Sequence, residues 1–399
     1  MKALYFENDI VKVAALKAAS KINKFAALGR FSPLAYAEIP EPEIPNDNWL
    51  KVENLACGLC GTDIHFIFMD IDPACFPAAI PGVSRKFLGH ELVAKVIKTG
   101  ANATDIKPGD KVAMRIDWPS CFQLEIDPPC PQCARGNYML CQNQGTRPLP
   151  EKNTGGGFSP RMIMHKTQAY KLPDDMTTDA ALLLEPLACA CHGVLKSEPK
   201  NGDKVLVIGA GTIGLLTAAA IKAMFPQTDL YCLARYKFQA EIARKYGAKI
   251  LNDDNEIYKE SAKITGATYV EGYFGNKIIL GGFDVVYDSV GADSSVNLAL
   301  RLVRGKGNVV LVGINFNPGK IDYTPIWNQE INFTGINCHS EEKNGRSSFD
   351  AALDLLNKGA IDPADFITHR FKMDDYKEAV KTFFDKSGSK AVKIVLEHK

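Results

Sequence analysis

Three runs of residues in this chain have the types and spacing that chemistry needs. Cys60-Gly-Thr62-Asp63-Ile-His65 is followed by Gly89-His90-Glu91 and, much later, by Glu185-Pro186-Leu187. One thiolate, one imidazole and one carboxylate make three corners of a tetrahedral zinc site, with the fourth left to water or substrate. An open corner makes such a site catalytic, because the ion then acts as a Lewis acid on an alcohol or carbonyl oxygen. Singly, each residue has a plainer reading: Cys60 as a small buried hydrophobe, His90 as a satisfied core histidine, Glu185 as a surface charge or helix cap.

A second group is richer in sulfur. Cys121, Cys130-Pro-Gln-Cys133 and Cys141 crowd into one short stretch. The chain has eleven cysteines in 399 residues and an N-terminus without a continuous apolar stretch, so metal binding explains the cluster better than a disulfide framework. Reduced or reactive thiols are the alternative. Cys57, Cys75, Cys189, Cys191, Cys232 and Cys338 have no comparable spacing and read as packing residues.

The third feature is Gly209-Ala-Gly211-Thr212-Ile213-Gly214, set between the strand-like KVLVI (204–208) and the helical pattern TIGLLTAAAIKAMF (212–225). In that context the first glycine makes a tight turn, the second admits a pyrophosphate and the third allows close helix–strand packing, so this is a dinucleotide loop. The next strand should end in an acid that binds the adenosine ribose. Ala234 stands there instead, followed by Arg235, Tyr236 and Lys237. No carboxylate is present to repel a 2′-phosphate and two cations are near, so NADP(H) is expected over NAD(H). Arg235 and Lys237 also suit a solvated helix start.

Two textures surround these residues. Up to about residue 170 short apolar or alternating runs such as LKVENLA (50–56) and LVAKVI (92–97) lie between Gly, Pro and Asp, which is strand-rich patterning. After Pro186, strand and helix alternate in the rhythm of a doubly wound parallel sheet. Hydrophobic residues make up 46% and charged residues 23%, and 47 Lys+Arg nearly cancel 46 Asp+Glu. A net charge of +1 gives no footprint for nucleic acid. No apolar run is long enough to span a bilayer, and a cytoplasmic protein is expected.

The motifs C-G-T-D-I-H, G-H-E, P-G-D-K-V, the cysteine cluster, E-P-L and G-A-G-T-I-G occur in the order and approximate spacing of the zinc-containing medium-chain dehydrogenases. The chain resembles that family, which includes alcohol, sorbitol, threonine and glucose dehydrogenases, over nearly its whole length. The resemblance implies a mixed α/β and β architecture: a GroES-like β-rich catalytic domain over 1–186 and 335–399, and a Rossmann doubly wound domain over 187–334. It implies that Cys60 and His90 hold a catalytic zinc. Glu91 then ligates directly or through water, as in the polyol branch, and Glu185 takes the place of a cysteine ligand of plain alcohol dehydrogenases.

A structural zinc in this family has the spacing C-x2-C-x2-C-x7-C, matched at its last three positions by Cys130, Cys133 and Cys141. Either Cys121 or Asp127 supplies the first ligand, and Cys121 is favoured because four thiolates commonly close a structural site. Thr62 and His65 match the family's proton relay, and Asp63 a carboxylate that orients a ligand. The expected reaction is hydride transfer between NADP(H) and a small-molecule secondary alcohol, polyol or sugar, by a homodimer or homotetramer that binds neither nucleic acid nor membrane. The competing function is a non-catalytic nicotinamide-binding protein, which intact Cys60, His90 and Glu185 disfavour. Segments 11–32 and 265–282 depart from the family pattern and read as surface decoration, the alternative being that they shape an interface or the substrate entrance.

Overall fold

The computed structural model describes residues 1–80, 85–115, 118–252, 256–342 and 345–398. The chain divides into two compact units.

Unit 1 comprises Met1–Glu185, Phe316–Pro318 and Phe366–Lys399. Its seven-stranded sheet is centred on Trp49–Gly58 and Glu91–Thr99, which pair antiparallel. Lys393–Glu397 flanks Trp49–Gly58 on one side, and Lys111–Met114 flanks Glu91–Thr99 on the other. The central strands bury both faces over much of their length, as their near-continuous apolar runs require. Leu50, Val52, Leu92, Val96, Phe158, Ile394 and Leu396 form part of the resulting core. A smaller antiparallel sheet joins Leu34–Glu38, Lys2–Glu7 and Arg85–Phe87.

The departing segment 11–32 is helical at its start. Asp9 caps the helix Ile10–Ser20, its carboxylate accepting from the N–H groups of Val11 and Lys12, and a 3-10 turn Lys24–Leu28 follows. Only Leu16 of the helix is buried.

Unit 2 comprises Pro186–Asn315 and Gly319–Asp365. Its six strands are all parallel, in the spatial order Lys249–Leu251, Asp229–Leu233, Lys204–Ile208, Phe283–Asp288, Val303–Leu311, Asn332–Gly335. The chain thus starts in the middle of the sheet, winds to one edge, returns and winds to the other. This is the doubly wound order, and its switch point lies at the C-terminal end of Lys204–Ile208. Segment 265–282 forms a separate hairpin, Thr268–Glu271 with Lys277–Leu280, whose tip exposes Tyr273 and Phe274.

The unit boundaries differ from the expected domains in two places. The first falls at Glu185/Pro186, inside the continuous helix Thr178–Lys196, so the proline that punctuates the sequence does not end the helix. This helix is long and apolar enough to cross a membrane, but most of it is buried. The second difference is larger: residues 335–365 belong to unit 2, and only 366–399 return to unit 1. The helix Ser348–Asn357 buries Phe349, Ala352 and Leu355, and Asp365 accepts from Lys245 Nζ and Tyr246 Oη. Those contacts hold the segment to unit 2 beyond the last sheet strand.

Candidate metal centre and nucleotide loop

Cys60 is the N-cap of the helix Gly61–Phe68, which starts where the strand Trp49–Gly58 ends. Asp63, buried one turn in, accepts from the backbone N–H of Cys60 and from that of Gly89, both at 3.0 Å. One carboxylate therefore pins the helix start to the loop that carries His90. Burial raises the Asp63 pKa, while His90 and the two N–H donors pull it down. His90 Nδ1 is 3.9 Å from Asp63 Oδ1, so Asp63 lies where it can orient the imidazole.

Glu91 follows at the head of the strand Glu91–Thr99. One ligand atom each from Cys60, His90 and Glu91 lie within 4.8 Å of one another. A thiolate, an imidazole and a carboxylate at that separation fit a single divalent ion, and the set has the chemistry of an open zinc site. Burial and the Glu91 charge push the Cys60 thiol up, and His90 opposes them. Taking up a metal would therefore expel a proton from Cys60. Glu185, on the helix Thr178–Lys196, is buried but is not part of this three-residue group.

Lys393 was not singled out from sequence. Its ammonium is 2.5 Å from Glu91 Oε2 and 3.4 Å from the Leu59 carbonyl, with both partners of the ion pair almost fully buried. Burial works against the charge on Lys393, but Glu91, Cys60 and Glu185 outweigh it and raise the pKa. The available signal was a lysine inside the otherwise apolar run AVKIVLE.

Thr62 and His65 share the Cys60 helix. Thr62 Oγ1 is 3.7 Å from Cys60 Sγ. His65 meets the ring of Phe316 edge-on at 5.2 Å. Its Nδ1 is 3.3 Å from Asp70 Oδ2 but out of line for a hydrogen bond.

The four cysteines 121, 130, 133 and 141 converge, their sulfurs mutually within 4.8 Å and all buried. Cys121, not Asp127, completes this group. N–H groups point at the sulfurs: Cys130 N and Asn143 Nδ2 donate to Cys121 Sγ, Gln142 N to Cys130 Sγ, and Asn143 N to Cys141 Sγ. Burial opposes ionisation of Cys130, but N–H donors stabilise its thiolate and bring the pKa down to about 6. Four convergent, N–H-supported sulfurs fit a closed structural zinc.

In unit 2, the loop after Lys204–Ile208 has the geometry of a dinucleotide turn. Gly209 has φ +91°, a left-handed conformation that favours glycine. A Cβ on Gly214 would lie 1.9 Å from the Gly209 carbonyl oxygen, so helix and turn pack closer than any side chain permits. Gly211, the N-cap of Thr212–Met224, has open space where its Cβ would be. Thr212 and Ile213 start that helix, whose N–H groups suit a phosphate. Ala234 is buried at the end of the neighbouring strand, with Arg235 and Lys237 exposed just beyond it.

Two family descriptions match: "Alcohol dehydrogenase GroES-like domain" over residues 46–174 and "Zinc-binding dehydrogenase" over 212–358. The chain is 28% identical over 379 residues to a probable diacetyl reductase ((R)-acetoin forming) of Saccharomyces cerevisiae, covering 90% of this chain and 86% of that protein. It is 27% identical to the D-arabitol-phosphate dehydrogenase of Enterococcus avium, covering 92% and 94%. A putative zinc-binding dehydrogenase from Sinorhizobium meliloti, solved bound to NADP, superposes with a TM-score of 0.67 at 26% identity over 91% of this chain and 95% of that one. The chain belongs to the zinc-dependent medium-chain dehydrogenase family, with a GroES-like and a Rossmann-like part. It is an oxidoreductase of alcohols and polyols, of a class that uses zinc and a nicotinamide cofactor.

Proposed function

We propose that this enzyme transfers a hydride between NADP(H) and a secondary alcohol, polyol or sugar, with unit 1 as the catalytic domain and unit 2 as the dinucleotide domain. The observation that carries the reading is the convergence of Cys60, His90 and Glu91 within 4.8 Å. In this reading those three hold the catalytic zinc, Glu185 stands by as an alternative carboxylate, and Cys121, Cys130, Cys133 and Cys141 hold the structural zinc. When bound, the catalytic zinc supplies Lewis acidity toward the substrate oxygen and the nicotinamide accepts or gives the hydride.

The chain's own residues do the rest. Asp63 fixes Cys60 and the Gly89 backbone that precedes His90 through the N–H bonds that it accepts. Lys393 holds Oε2 of Glu91 and balances its buried charge. In this reading Thr62, whose Oγ1 is 3.7 Å from Cys60 Sγ, hydrogen-bonds the substrate oxygen, and His65 passes its proton toward solvent. Gly209, Gly211, Thr212, Ile213 and Gly214 cradle the pyrophosphate, and Arg235 and Lys237 receive the 2′-phosphate.

A homodimer or homotetramer in the cytoplasm is the setting we infer, with no nucleic-acid or membrane partner. The intact donor set weighs against a non-catalytic nicotinamide-binding role. Zinc analysis combined with NADP(H)-coupled assays over alcohols, polyols and sugars tests the proposal. Two zinc ions per chain and turnover of secondary hydroxyls are expected; a metal-free protein that turns over nothing would overturn it.

A further inference from the structure

An imidazole takes up a proton only on a ring nitrogen that carries no hydrogen, so a relay histidine needs its tautomer fixed. The Nδ1 atom of His65 is buried and makes no hydrogen bond, so no backbone carbonyl holds a hydrogen there. A carboxylate stands beside it instead, with Asp70 Oδ2 at 3.3 Å.

The chain has to turn back to place that carboxylate. Along a continuing helix, residue 70 would lie about 140° around the axis from residue 65, well away from its side chain. Met69 ends the helix Gly61–Phe68 in the left-handed conformation at φ +50°, which a residue with a side chain seldom adopts. The turn that results brings the Asp70 N–H onto the His65 carbonyl at 3.0 Å and its carboxylate next to the ring. Strain of this kind persists where the surrounding contacts over-determine it.

Those contacts come from the short segment Phe316–Pro318, which belongs to unit 1. Asn317 Nδ2 donates to Asp70 Oδ1 at 3.0 Å, which leaves Oδ2 on the side of His65. The Phe316 carbonyl accepts from the Asp72 N–H at 3.0 Å, and its ring meets His65 at 5.2 Å and Phe66 at 6.3 Å. The other charged groups of the turn are engaged elsewhere. Lys17 Nζ donates to the Ile71 carbonyl and Asp72 Oδ1 accepts from the Ala74 N–H.

The Asp70 side chain is 59% exposed, so water screens its charge and its attraction for an imidazolium is weak. What it can supply is direction. A small rotation of the ring aligns an Nδ1–H with Oδ2, an adjustment common when a catalytic site fills.

We propose that Asp70 is a positioning residue for the His65 relay: it keeps the ring hydrogen on Nδ1, so that Nε2 is the nitrogen that takes the proton. The inference rests on the dehydrogenase reading. As the substrate O–H bond breaks, its proton is passed to Nε2; the imidazolium then gives that proton to water, while Nδ1 keeps its own hydrogen throughout.

The test uses zinc-loaded protein with isotope-labelled histidine, as wild type, Asp70→Asn and Asp70→Ala, and His65→Gln identifies the signal among the seven histidines. The bond from residue 70 to the His65 carbonyl is made by backbone, so all the variants keep the turn. Nitrogen NMR reads the tautomer, and single-turnover reduction of the nicotinamide by an alcohol that the wild type oxidises reads the rate. We expect the Nδ1–H tautomer in the wild type. Asp70→Asn should move the hydrogen to Nε2, because the new amide keeps its oxygen on Asn317 and turns its NH2 group to Nδ1. It should slow the single turnover about tenfold or more with KM little changed, and Asp70→Ala, which only mixes the tautomers, should lose less. A wild-type His65 with its hydrogen on Nε2, or an unslowed Asp70→Asn, would overturn the inference and leave the dehydrogenase reading in place. An unslowed His65→Gln would overturn it by removing His65 from the relay. No oxidation of any alcohol would overturn both readings.

Discussion

Lys393 Nζ and Glu91 Oε2, 302 residues apart in sequence, meet at 2.5 Å in a site closed to solvent. The candidate metal ligand is thus held by a cation from the last strand of the chain. Removing that cation leaves a carboxylate buried and unpaired. Lys393→Met should destabilise the zinc-free protein by about 3–5 kcal/mol, and adding Glu91→Gln should recover part of the loss. Urea unfolding of the chelated single and double variants measures this, and an unchanged midpoint for Lys393→Met would refute it.

The two cysteine-containing centres should separate under mutation. Cys60→Ser is expected to remove one zinc per chain and abolish turnover, with little change in melting temperature. Cys133→Ser is expected to remove the other zinc and lower the melting temperature, because a closed thiolate site contributes folding energy directly. Metal analysis alongside calorimetry decides, and equal melting temperatures for the two variants would count against a structural role for the cluster.

The glycines of the nucleotide loop should fail in different ways. Gly214→Ala puts a methyl 1.9 Å from a backbone oxygen and should destabilise unit 2. Gly211→Ala meets no protein atom within 4 Å, so stability should hold while NADP(H) affinity falls. Thermal melts and cofactor titrations compare them; unaltered affinity in Gly211→Ala would place the pyrophosphate elsewhere.

Cofactor choice is expected to turn on Arg235. Arg235→Asp should weaken NADPH by about tenfold or more and favour NADH, because it replaces a phosphate-pairing cation with a ribose-binding acid. The ratio of kcat/KM for the two cofactors reports this directly. A wild type that prefers NADH would contradict it at the outset.

His165 provides a pH signature away from the active centre. Burial lowers its pKa from 6.5 to about 4, with Lys166 adding to the effect, and its ring packs on Trp49 and Phe122. Its folded pKa lies below the unfolded value, so the unfolded chain takes up the proton first. Stability is full above pH ~6.5 and falls by roughly 1.4 kcal/mol per unit as the pH drops toward ~4, for a total of about 3 kcal/mol at most. His165→Gln should flatten that slope in denaturant titrations between those limits.

Sequence alone determined what depends on neighbours along the chain. The glycine loop, the apolar strand of 204–208, the alternation after Pro186 and the order of the metal motifs are all local patterns. Their periodicity reflects which side of each element is buried, so the doubly wound sheet and the β-rich part were both legible. Donor chemistry favours Cys121 over Asp127 without deciding between them, and in the structure the sulfur of Cys121 lies with the other three.

Tertiary structure decided what depends on which distant segments meet. Glu91 and Glu185 are equal candidates in sequence; folding puts Glu91 against Cys60 and His90 and sets Glu185 outside that group. Residues 335–365 carry no local mark of the unit they join, because the contacts from Lys245 and Tyr246 to Asp365 span more than a hundred residues. Lys393 was visible only as an anomalous lysine in an apolar strand. Its role arises when packing closes the loop between the two ends of unit 1 and leaves one buried charge facing another. No periodicity encodes that contact, because its reward comes from a partner that the local chain never sees.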